Sequence, residues 1–311
     1  MAEYGENKIF KANGELCRIK DLNVGDYIFD AFGYPTEIIG IVKKRAILWK
    51  LHLLTRTDIY TDAKHEWFCI DFMKKKITVP MDKLSFVKKF DQNYFGCYII
   101  KYPVEYTEIP LNYDPYKCSV LSRSANNSNG LMYLKKYNID LLEKLFGEEY
   151  IIKKNKRGYF FTKNGKMVKW HDNIFKKFIP NEILHNSLKV RIAYVQGILD
   201  TCGAIKRDKS AWQLKIKDRN YAHQVRELLF SVGLDNSIVY KKEGTTLVNI
   251  YSRRPRKWCK NKESYRYFCK FSFDLGTKFS SVKQTNIEAD VYQIITEAGH
   301  YKTTNYVSTK G

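Results

Sequence analysis

The sequence predicts a mixed α and β fold in two units, or in one unit split around the other. Three observations lead to this expectation. The 311 residues exceed the length of one typical domain, and 44% of them are hydrophobic, which is enough for a substantial core. Short extended stretches broken by turn residues occupy both ends of the chain. The middle contains helical periodicity followed by alternating extended segments.

The net charge is strongly positive. The chain has 54 Lys and Arg residues against 33 Asp and Glu, which gives a formal charge of +21. This excess favours a polyanionic partner, and we expect nucleic acid rather than a membrane surface. No apolar run of about eighteen residues is present, and the start MAEYGENKIF lacks the basic and apolar regions of a secretory signal. We therefore expect an intracellular protein, cytoplasmic or nuclear.

The seven cysteines are scattered along the chain, and no two of them form a Cys-x-x-Cys pair. An odd number at irregular spacing supports neither a disulfide framework nor a zinc knuckle. We expect buried, reduced thiols.

The segment from Ile9 to Ile41 reads as short strands separated by tight turns at Asn13-Gly14, Gly25-Asp26 and Gly33. The strings NGE, IKDLNVGDYIF and FGYPTEIIGI, in this order, resemble the opening of the Hint fold of inteins and hedgehog autoprocessing domains. In that family the first residue is usually a Cys or Ser nucleophile. Here the chain starts Met1-Ala2, and neither side chain can act as a nucleophile.

The string TDAKHEW, residues 61–67, extends the Hint resemblance. His65 occupies the place of the intein histidine that polarises the N-terminal scissile amide, and Asp62 lies three residues earlier, where Thr is common. A histidine at such a turn is suited to general acid–base chemistry. A lone histidine is otherwise more often structural, so both interpretations stay open.

The end of the chain, Asp290 to Gly311, reads as strands around a turn at Ala298-Gly299 and resembles the two C-terminal Hint motifs. The family carries Asp or Cys in the first of these and His-Asn at the very end. Here Gln293 and Lys310-Gly311 stand at those positions, and glycine has no side chain that could cyclise. We therefore expect that splicing is lost.

The stretch AYVQGILDTCGAI, residues 193–205, reads as a helix closed by Asp200 and Gly203, with Gly197 allowing a second backbone to approach. It resembles the second signature of the LAGLIDADG homing endonucleases, in which two such helices pack together and each delivers an acidic residue to a metal. Cys202 stands at the metal-binding position. Asp200 would reach a metal only if the helix end were rewound.

The first endonuclease half matches less well. The string LNYDPY, residues 111–116, resembles the family's lead-in, and by position Ser124 stands where the first catalytic acid belongs. The segment from Leu131 to Phe146 has the pattern of an amphipathic helix. A magnesium site needs hard oxygen ligands, for which Cys and Ser are poor substitutes. We predict that cleavage is absent or severely weakened, with Mg²⁺ as cofactor only if some cleavage is retained.

A ribbon and basic segments form the predicted DNA surface. Along residues 212–217, every second side chain is expected to pack on the helices. The side chains between them face away, where they can read base edges in the major groove. Residues 241–270 contain ten Lys or Arg interleaved with aromatic residues, although such runs are usually solvated loops. The candidate DNA-binding residues are Gln213, Lys215, Lys217, Lys241, Lys242, Arg253, Arg254, Arg256 and Lys257, with Lys153, Lys154 and Arg157 in a predicted hairpin region.

These resemblances imply a discontinuous organisation. Residues 1–110 and 286–311 are expected to form an all-β Hint domain, and residues 111–285 an inserted α+β LAGLIDADG-type domain with the order αββαββ repeated. The implied function is that of an intein-derived homing endonuclease homologue that binds double-stranded DNA as a monomer. Two alternatives stay open: a domesticated non-catalytic DNA-binding protein, and an inactivated splicing element of a longer host protein.

Overall fold

The structure is a computed structural model. It describes residues 2–70, 75–84, 98–126, 131–132, 142–143, 146–148, 150–155, 158–163, 166–167, 178–205, 211–251, 276–303 and 306–310. The chain divides into two compact units. Unit 1 consists of Met1–Glu108, Leu229–Ile238 and Phe273–Gly311, and unit 2 of Ile109–Leu228 and Val239–Ser272.

The described residues form a sheet-rich mixture of helices and strands, which confirms the prediction of a mixed fold. The helices are α1 (Pro115–Ser124), α2 (Asn181–Leu184), α3 (Leu188–Cys202) and α4 (Arg219–Ser231), with 3-10 helices at Ile19–Asp21 and Met81–Lys83. The strands are β1 (Glu3–Tyr4), β2 (Lys8–Phe10), β3 (Leu16–Arg18), β4 (Tyr27–Phe29), β5 (Pro35–Leu53), β6 (Asp58–Thr61), β7 (Glu66–Ile70), β8 (Lys76–Pro80), β9 (Tyr98–Ile100), β10 (Ala125–Asn126), β11 (Leu131–Met132), β12 (Ile151–Asn155), β13 (Gly158–Lys163), β14 (Lys166–Met167), β15 (Ala204–Ile205), β16 (Trp212–Ile216), β17 (Asp235–Tyr240), β18 (Thr246–Tyr251), β19 (Gly276–Thr277), β20 (Phe279–Thr296), β21 (His300–Lys302) and β22 (Ser308–Lys310). None of the helices in these parts of the chain is long and apolar enough to cross a membrane.

Unit 1 is built from strands of both chain ends. Its first sheet has the order β20-β1-β6-β5-β4, and the long strands β5 and β20 also pair directly with each other. A second sheet has the order β19-β9-β7-β22-β21, and β8 also pairs with β7. The first strand therefore pairs with β20, at Glu3↔Tyr292, and the last strand pairs with β7, at Thr309↔Trp67.

The predicted turns of the N-terminal segment are present. Gly14, Gly25 and Gly33 have φ of 89°, 91° and 103°, a region that glycine enters without the steric cost other residues meet. At Gly33 the space is also closed, because an added Cβ would lie 2.0 Å from the carbonyl oxygen of Pro103. The turn between β2 and β3 brings Ile9 opposite Cys17, which places this cysteine inside a hairpin.

Unit 2 contains the α1–α3 helix pair and two sheets. The sheet beside the helices has the order β15-β16-β18-β17, and α4 lies between β16 and β17 in the sequence. One face of α4 is apolar and buried, as at Ala222, Val225 and Leu228. The boundary between the units falls within α4 and β17.

The helix predicted from Leu131 to Phe146 does not begin where the pattern indicated. Leu131 and Met132 form β11 and pair with Phe160 and Tyr159 of β13. Backbone pairing with a neighbouring hairpin outweighs local periodicity here, and most of that segment lies outside the described residues.

Candidate functional site

Gly197 of α3 lies where α1 and α3 contact each other and where there is no room for a larger side chain. A Cβ added at Gly197 of α3 would lie 1.7 Å from the Ser119 Oγ and 2.7 Å from the carbonyl oxygen of Tyr116, both on α1. The Ser119 hydroxyl donates to the same Tyr116 carbonyl oxygen at 3.0 Å, so its proton is hydrogen-bonded within α1. The second backbone that Gly197 was expected to admit is therefore that of α1.

Asp200 lies within this helix pair and is fully buried. The Tyr116 hydroxyl on α1 donates a hydrogen bond to Asp200 Oδ2 at 2.9 Å. A buried carboxylate requires such donors, because a charge without hydrogen bonds is costly in a low-dielectric interior. This bond links the two helices directly and gives Asp200 a structural role whatever else it does.

Cys202 and Ser124 end the two helices of the pair. Cys202 is the last residue of α3 and is half-buried, and the helix closes when the Gly203 amide donates to the Leu199 carbonyl at 3.0 Å. Ser124 is the last residue of α1, and the structure describes its backbone only. The two positions at which the sequence resemblance places metal-binding acids are thus the last residues of their helices.

The donor set at these positions does not fit magnesium. Mg²⁺ takes oxygen ligands, usually carboxylates and water, in a strict octahedral arrangement, whereas Cys202 offers a sulfur atom and Ser124 an uncharged hydroxyl. In the described part of the chain, no group of three or more His, Cys, Asp or Glu side chains could hold a metal ion.

The ribbon strand β16 alternates as predicted. Trp212, Leu214 and Ile216 are buried, Gln213 is half-exposed, and Lys215 is exposed. Gln213 Nε2 donates to the Oδ1 atom of Asn249 on the neighbouring strand β18 at 2.9 Å, which fixes the orientation of the Gln213 amide. Lys217 follows the strand and is exposed.

A basic concavity opens beside this ribbon. It has a volume of about 760 Å³ and lies between β16 and the β17–β18 hairpin, whose turn uses Gly244 at φ 72°. We call this surface the basic concavity; its lining residues are Gln213, Lys215, Tyr240, Lys241, Lys242, Glu243, Thr245 and Leu247. Three lysines against one glutamate give it a net positive charge, which suits a phosphate group.

The remaining predicted DNA-binding residues are not described as side chains. Lys153 and Lys154 belong to β12, where they pair through the backbone with Phe160 and Tyr159 of β13. Outside the described residues lie Arg157, Arg253, Arg254, Arg256 and Lys257.

In unit 1, Asp62 holds the start of the chain. The backbone amide of Ala2 donates to Asp62 Oδ1 at 3.1 Å, and the amide of Asp62 donates to the Ala2 carbonyl at 2.9 Å. The second carboxylate oxygen of Asp62 lies 2.5 Å from Lys44 Nζ. Asp62, three positions before His65, therefore holds Ala2 by a pair of hydrogen bonds.

His65 contacts the last strand. Its Nε2 atom lies 2.6 Å from the Thr309 Oγ1, and its ring packs edge-on against Trp67 with centroids 4.7 Å apart. Complete burial lowers the pKa of His65 from 6.5 to about 3, so the imidazole is neutral at neutral pH. The Thr309 hydroxyl also donates to the Glu66 carbonyl at 2.6 Å, which favours the tautomer in which His65 Nε2 is the donor to Thr309.

That tautomer leaves the second ring nitrogen of His65 as a buried base. Among the residues that the structure describes, none forms a hydrogen bond with His65 Nδ1. Glu3 lies 3.9 Å from His65 Nε2, and burial raises the pKa of this carboxyl group. Sequence reasoning missed Glu3 and Thr309, because Thr309 is 244 positions from His65 and no local pattern marks either residue.

The positions at which the resemblance places the C-terminal reacting groups are Gln293 and Lys310-Gly311. Gln293 lies in β20 opposite Val42. Lys310 lies on the last strand and forms an ion pair with Glu66 at 3.2 Å, while Gly311 is outside the described residues.

No protein-family model and no curated protein matches the chain. Among solved structures, the gp41-1 intein is 16% identical over 26% of this chain and 59% of its own, with a TM-score of 0.22. The MchDnaB-1 intein is 19% identical over 26% of this chain and 60% of its own, with a TM-score of 0.23. The chain thus spans about three fifths of the length of these inteins.

The homing endonuclease I-DmoI, in its complex with DNA and Mn, is 16% identical over 46% of this chain and 93% of its own, with a TM-score of 0.31. Inteins and a homing endonuclease, the two kinds of protein that the sequence motifs resemble, are therefore both among the solved structures similar to this chain.

Proposed function

We propose that this protein is an intein-derived homologue of the LAGLIDADG homing endonucleases that binds double-stranded DNA as a monomer. In this proposal the splicing residues are lost, and metal-dependent cleavage is absent or weak. The observation that carries it is the contact of Gly197 with Ser119, where an added Cβ would lie 1.7 Å from the hydroxyl oxygen. So close a helix pair is what the LAGLIDADG motif resemblance implies, and its two helix ends carry Cys202 and Ser124.

The basic concavity supports DNA as the partner. Lys215, Lys241 and Lys242 supply positive charge at the edge of an antiparallel ribbon, and Gln213 offers an amide with which to read a base. The formal charge of +21 adds a long-range attraction for a polyanion. Phosphate contacts of this kind position a protein on a duplex, while a side-chain amide contributes sequence preference.

The domain assignment belongs to the same proposal. Residues 1–110 and 286–311 would be the Hint domain, and residues 111–285 the endonuclease-type insert. The pairing of β1 with β20 and of β22 with β7 supports a domain made from both chain ends.

The test is incubation of the purified chain with a library of duplexes in Mg²⁺ or Mn²⁺, with binding and cleavage measured separately. We expect duplex binding at about 50 mM salt and no double-strand cut. The variant Lys215→Gln with Lys241→Gln should bind more weakly than the unmodified protein. Failure to retain any duplex at low salt contradicts DNA binding, and a metal-dependent cut that Asp200→Asn abolishes contradicts the loss of cleavage.

A second candidate, an inactivated protein-splicing element, is favoured by one observation. Ala2, Asp62, His65 and Thr309 converge in unit 1 through the hydrogen bonds at 3.1 Å and 2.6 Å. If only the nucleophile is missing at the N-terminal junction, Ala2→Cys should restore its chemistry. The new thiol would attack the preceding carbonyl, forming a C–S bond as the C–N bond breaks, and an added thiol would then release the thioester.

This candidate is tested by fusing a carrier protein before residue 2 of the Ala2→Cys variant and following thiol-dependent release by mass spectrometry. Release that is lost in Ala2→Cys with His65→Gln supports the splicing element. Full stability of the fusion in dithiothreitol, with the variant folded by circular dichroism, argues against it.

A further inference from the structure

We infer that unit 1 contains a binding pocket for a small aromatic carboxylate. The pocket has a volume of about 210 Å³, and its walls include Phe32, Phe68, Ile77, Ile100, Tyr102 and Ser308. An engineered cavity of roughly 150 Å³ in another protein binds benzene. A single aromatic ring with one small substituent therefore fits this space.

The aromatic walls of the pocket are held in place by their neighbours. The rings of Phe32 and Tyr102 lie with centroids 5.8 Å apart, and the His300 ring packs edge-on against Phe32 at 5.2 Å and Phe68 at 5.9 Å. The backbone amide of Ala31 donates to His300 Nδ1 at 3.2 Å, which fixes the orientation of that ring. Pre-formed aromatic walls favour a planar apolar ligand body.

The polar end of the pocket leads to a buried amine. Ser308 lines the pocket and donates its hydroxyl proton to the Ala31 carbonyl oxygen at 2.7 Å. Behind this wall residue, Lys302 Nζ lies 3.3 Å from Ser308 Oγ and 3.3 Å from the Tyr306 carbonyl oxygen. Lys302 is only 2% exposed. In the described part of the chain, no carboxylate lies within ion-pair distance of this amine, so a protonated Lys302 would have no counter-ion there.

The burial and the charged groups around Lys302 indicate that an anion would stabilise its protonated form. Burial lowers the pKa of Lys302 well below its usual value, nearby Lys101 lowers it further, and Asp30 alone raises it. The Oδ1 atom of Asp30 is held in the turn after β4, where it accepts the amides of Phe32, Gly33 and Tyr34. A ligand carboxylate at this end of the pocket would place a negative charge near the amine and favour its protonated form.

Lys76 adds a second positive group at the mouth. The Nζ atoms of Lys76 and Lys302 each lie 5.7 Å from the centroid of the Tyr102 ring. The charge of Lys76 disfavours a cationic ligand, and the apolar walls disfavour a small, highly charged anion such as phosphate. In a singly charged aromatic carboxylate, the ring would contact the apolar walls and the negative charge would lie near the amines.

The test is calorimetric titration of the full chain with benzoate and, as the uncharged analogue, benzyl alcohol. We expect benzoate to bind at least about tenfold more tightly than benzyl alcohol. Lys302→Met keeps the apolar stem and removes the amine, and it should abolish that preference. Lys283→Met, which changes an exposed lysine of β20, should leave both affinities unchanged.

Two further measurements make the result specific. Because a bound anion favours the charged amine, the protein should take up protons when benzoate binds at pH 8 to 9. The measured binding enthalpy should then vary with the ionisation enthalpy of the buffer. Lys302→Met should lose this dependence. Ile77→Trp, at a half-exposed wall position, should block both ligands. Absence of benzoate binding up to about 10 mM, or a Lys302→Met variant of unchanged preference, would overturn the inference.

Discussion

Gly197 of α3 faces Ser119 of α1 so closely that a methyl group at position 197 would lie 1.7 Å from the serine hydroxyl oxygen. The serine side chain can rotate, but the carbonyl oxygen of Tyr116, at 2.7 Å from the same point, belongs to the backbone. We expect Gly197→Ala to lower the free energy of unfolding by about 1–3 kcal/mol, because overpacking outweighs the better helix propensity of alanine. Urea unfolding followed by circular dichroism measures this.

A matched control for that variant is Gly40→Ala. An added Cβ at Gly40 would lie 3.4 Å from the Ile295 Cδ1, an ordinary contact, so the free energy of unfolding should stay the same or rise slightly. Ser119→Ala should partly rescue Gly197→Ala by removing the nearer clash. Equal stability of Gly197→Ala and the unmodified protein would show that the helices of the pair can separate at no cost.

The second prediction concerns the salt dependence of DNA binding. Replacing Lys215, Lys241 and Lys242 by glutamine removes three charges from the basic concavity. Each lost phosphate contact should reduce the slope of log K against log salt by about 0.9, so the triple variant should lose roughly two to three units of slope. Fluorescence anisotropy with a labelled duplex at several KCl concentrations gives both slopes.

The control for this prediction carries the same charge change elsewhere. Lys64, Lys83 and Lys283 are exposed lysines of unit 1, and their replacement by glutamine should change the slope by less than the first set does. If both triple variants reduce the slope equally, binding depends on net charge alone and the basic concavity has no special role.

The third prediction concerns acidic residues placed at the ends of α1 and α3. Ser124→Asp with Cys202→Asp should create a site for Mn²⁺ or Mg²⁺, because carboxylates replace a hydroxyl and a thiol. At about one hundred times its dissociation constant, Mn²⁺ should stabilise the double variant by about 2.7 kcal/mol. Thermal unfolding with and without the metal measures this directly. A similar Mn²⁺ effect on the unmodified protein would mean that Cys202 and Ser124 do not prevent metal binding.

The fourth prediction follows from the buried His65. Its pKa is about 3 in the folded protein against 6.5 for the free side chain, so the unfolded chain binds the extra proton between these values. Folding stability is therefore fully retained above pH 6.5 and falls as the pH drops towards 3, by up to about 1.4 kcal/mol per unit. From pH 7.5 to pH 5.0, this histidine should account for about 2 kcal/mol of lost stability.

His65→Gln isolates that contribution, because the amide can still bond to the Thr309 hydroxyl but does not titrate. The unmodified protein should lose about 2 kcal/mol more than this variant between the two pH values in urea unfolding. Parallel losses in both proteins would place the acid sensitivity in other groups.

The elements defined by local pattern were predictable from the sequence. The turns at Gly14, Gly25 and Gly33 are marked by glycines that take positive φ, and the alternation of β16 follows from its apolar residues. Gly197 indicated a close neighbour, since a glycine on a buried helix face otherwise costs stability. These features depend only on residues adjacent in sequence.

What the sequence did not reveal depends on long-range pairing. The partners Thr309 of His65 and Tyr116 of Asp200 are 244 and 84 positions away, and nothing in either local pattern identifies them. The strand at Leu131–Met132 was mistaken for a helix because only its pairing with Tyr159 and Phe160 defines it. The assignment of Cys202, Ser124, Gln213 and the basic residues to DNA or metal chemistry stays a prediction.

The pairing of β1 with β20 and of β22 with β7 also sets the order in which the chain can fold during synthesis. A ribosome must release residues 279–310 before β1 and β7 can pair with β20 and β22, whereas pairings such as β2 with β3 and β5 with β6 need only the N-terminal segment. All residues of unit 2 have been synthesised by then, so unit 2 can form while β1 and β7 still lack these two partners. Because such distant contacts are slow to form, the strand edges that β20 and β22 later cover stay open to aggregation during synthesis.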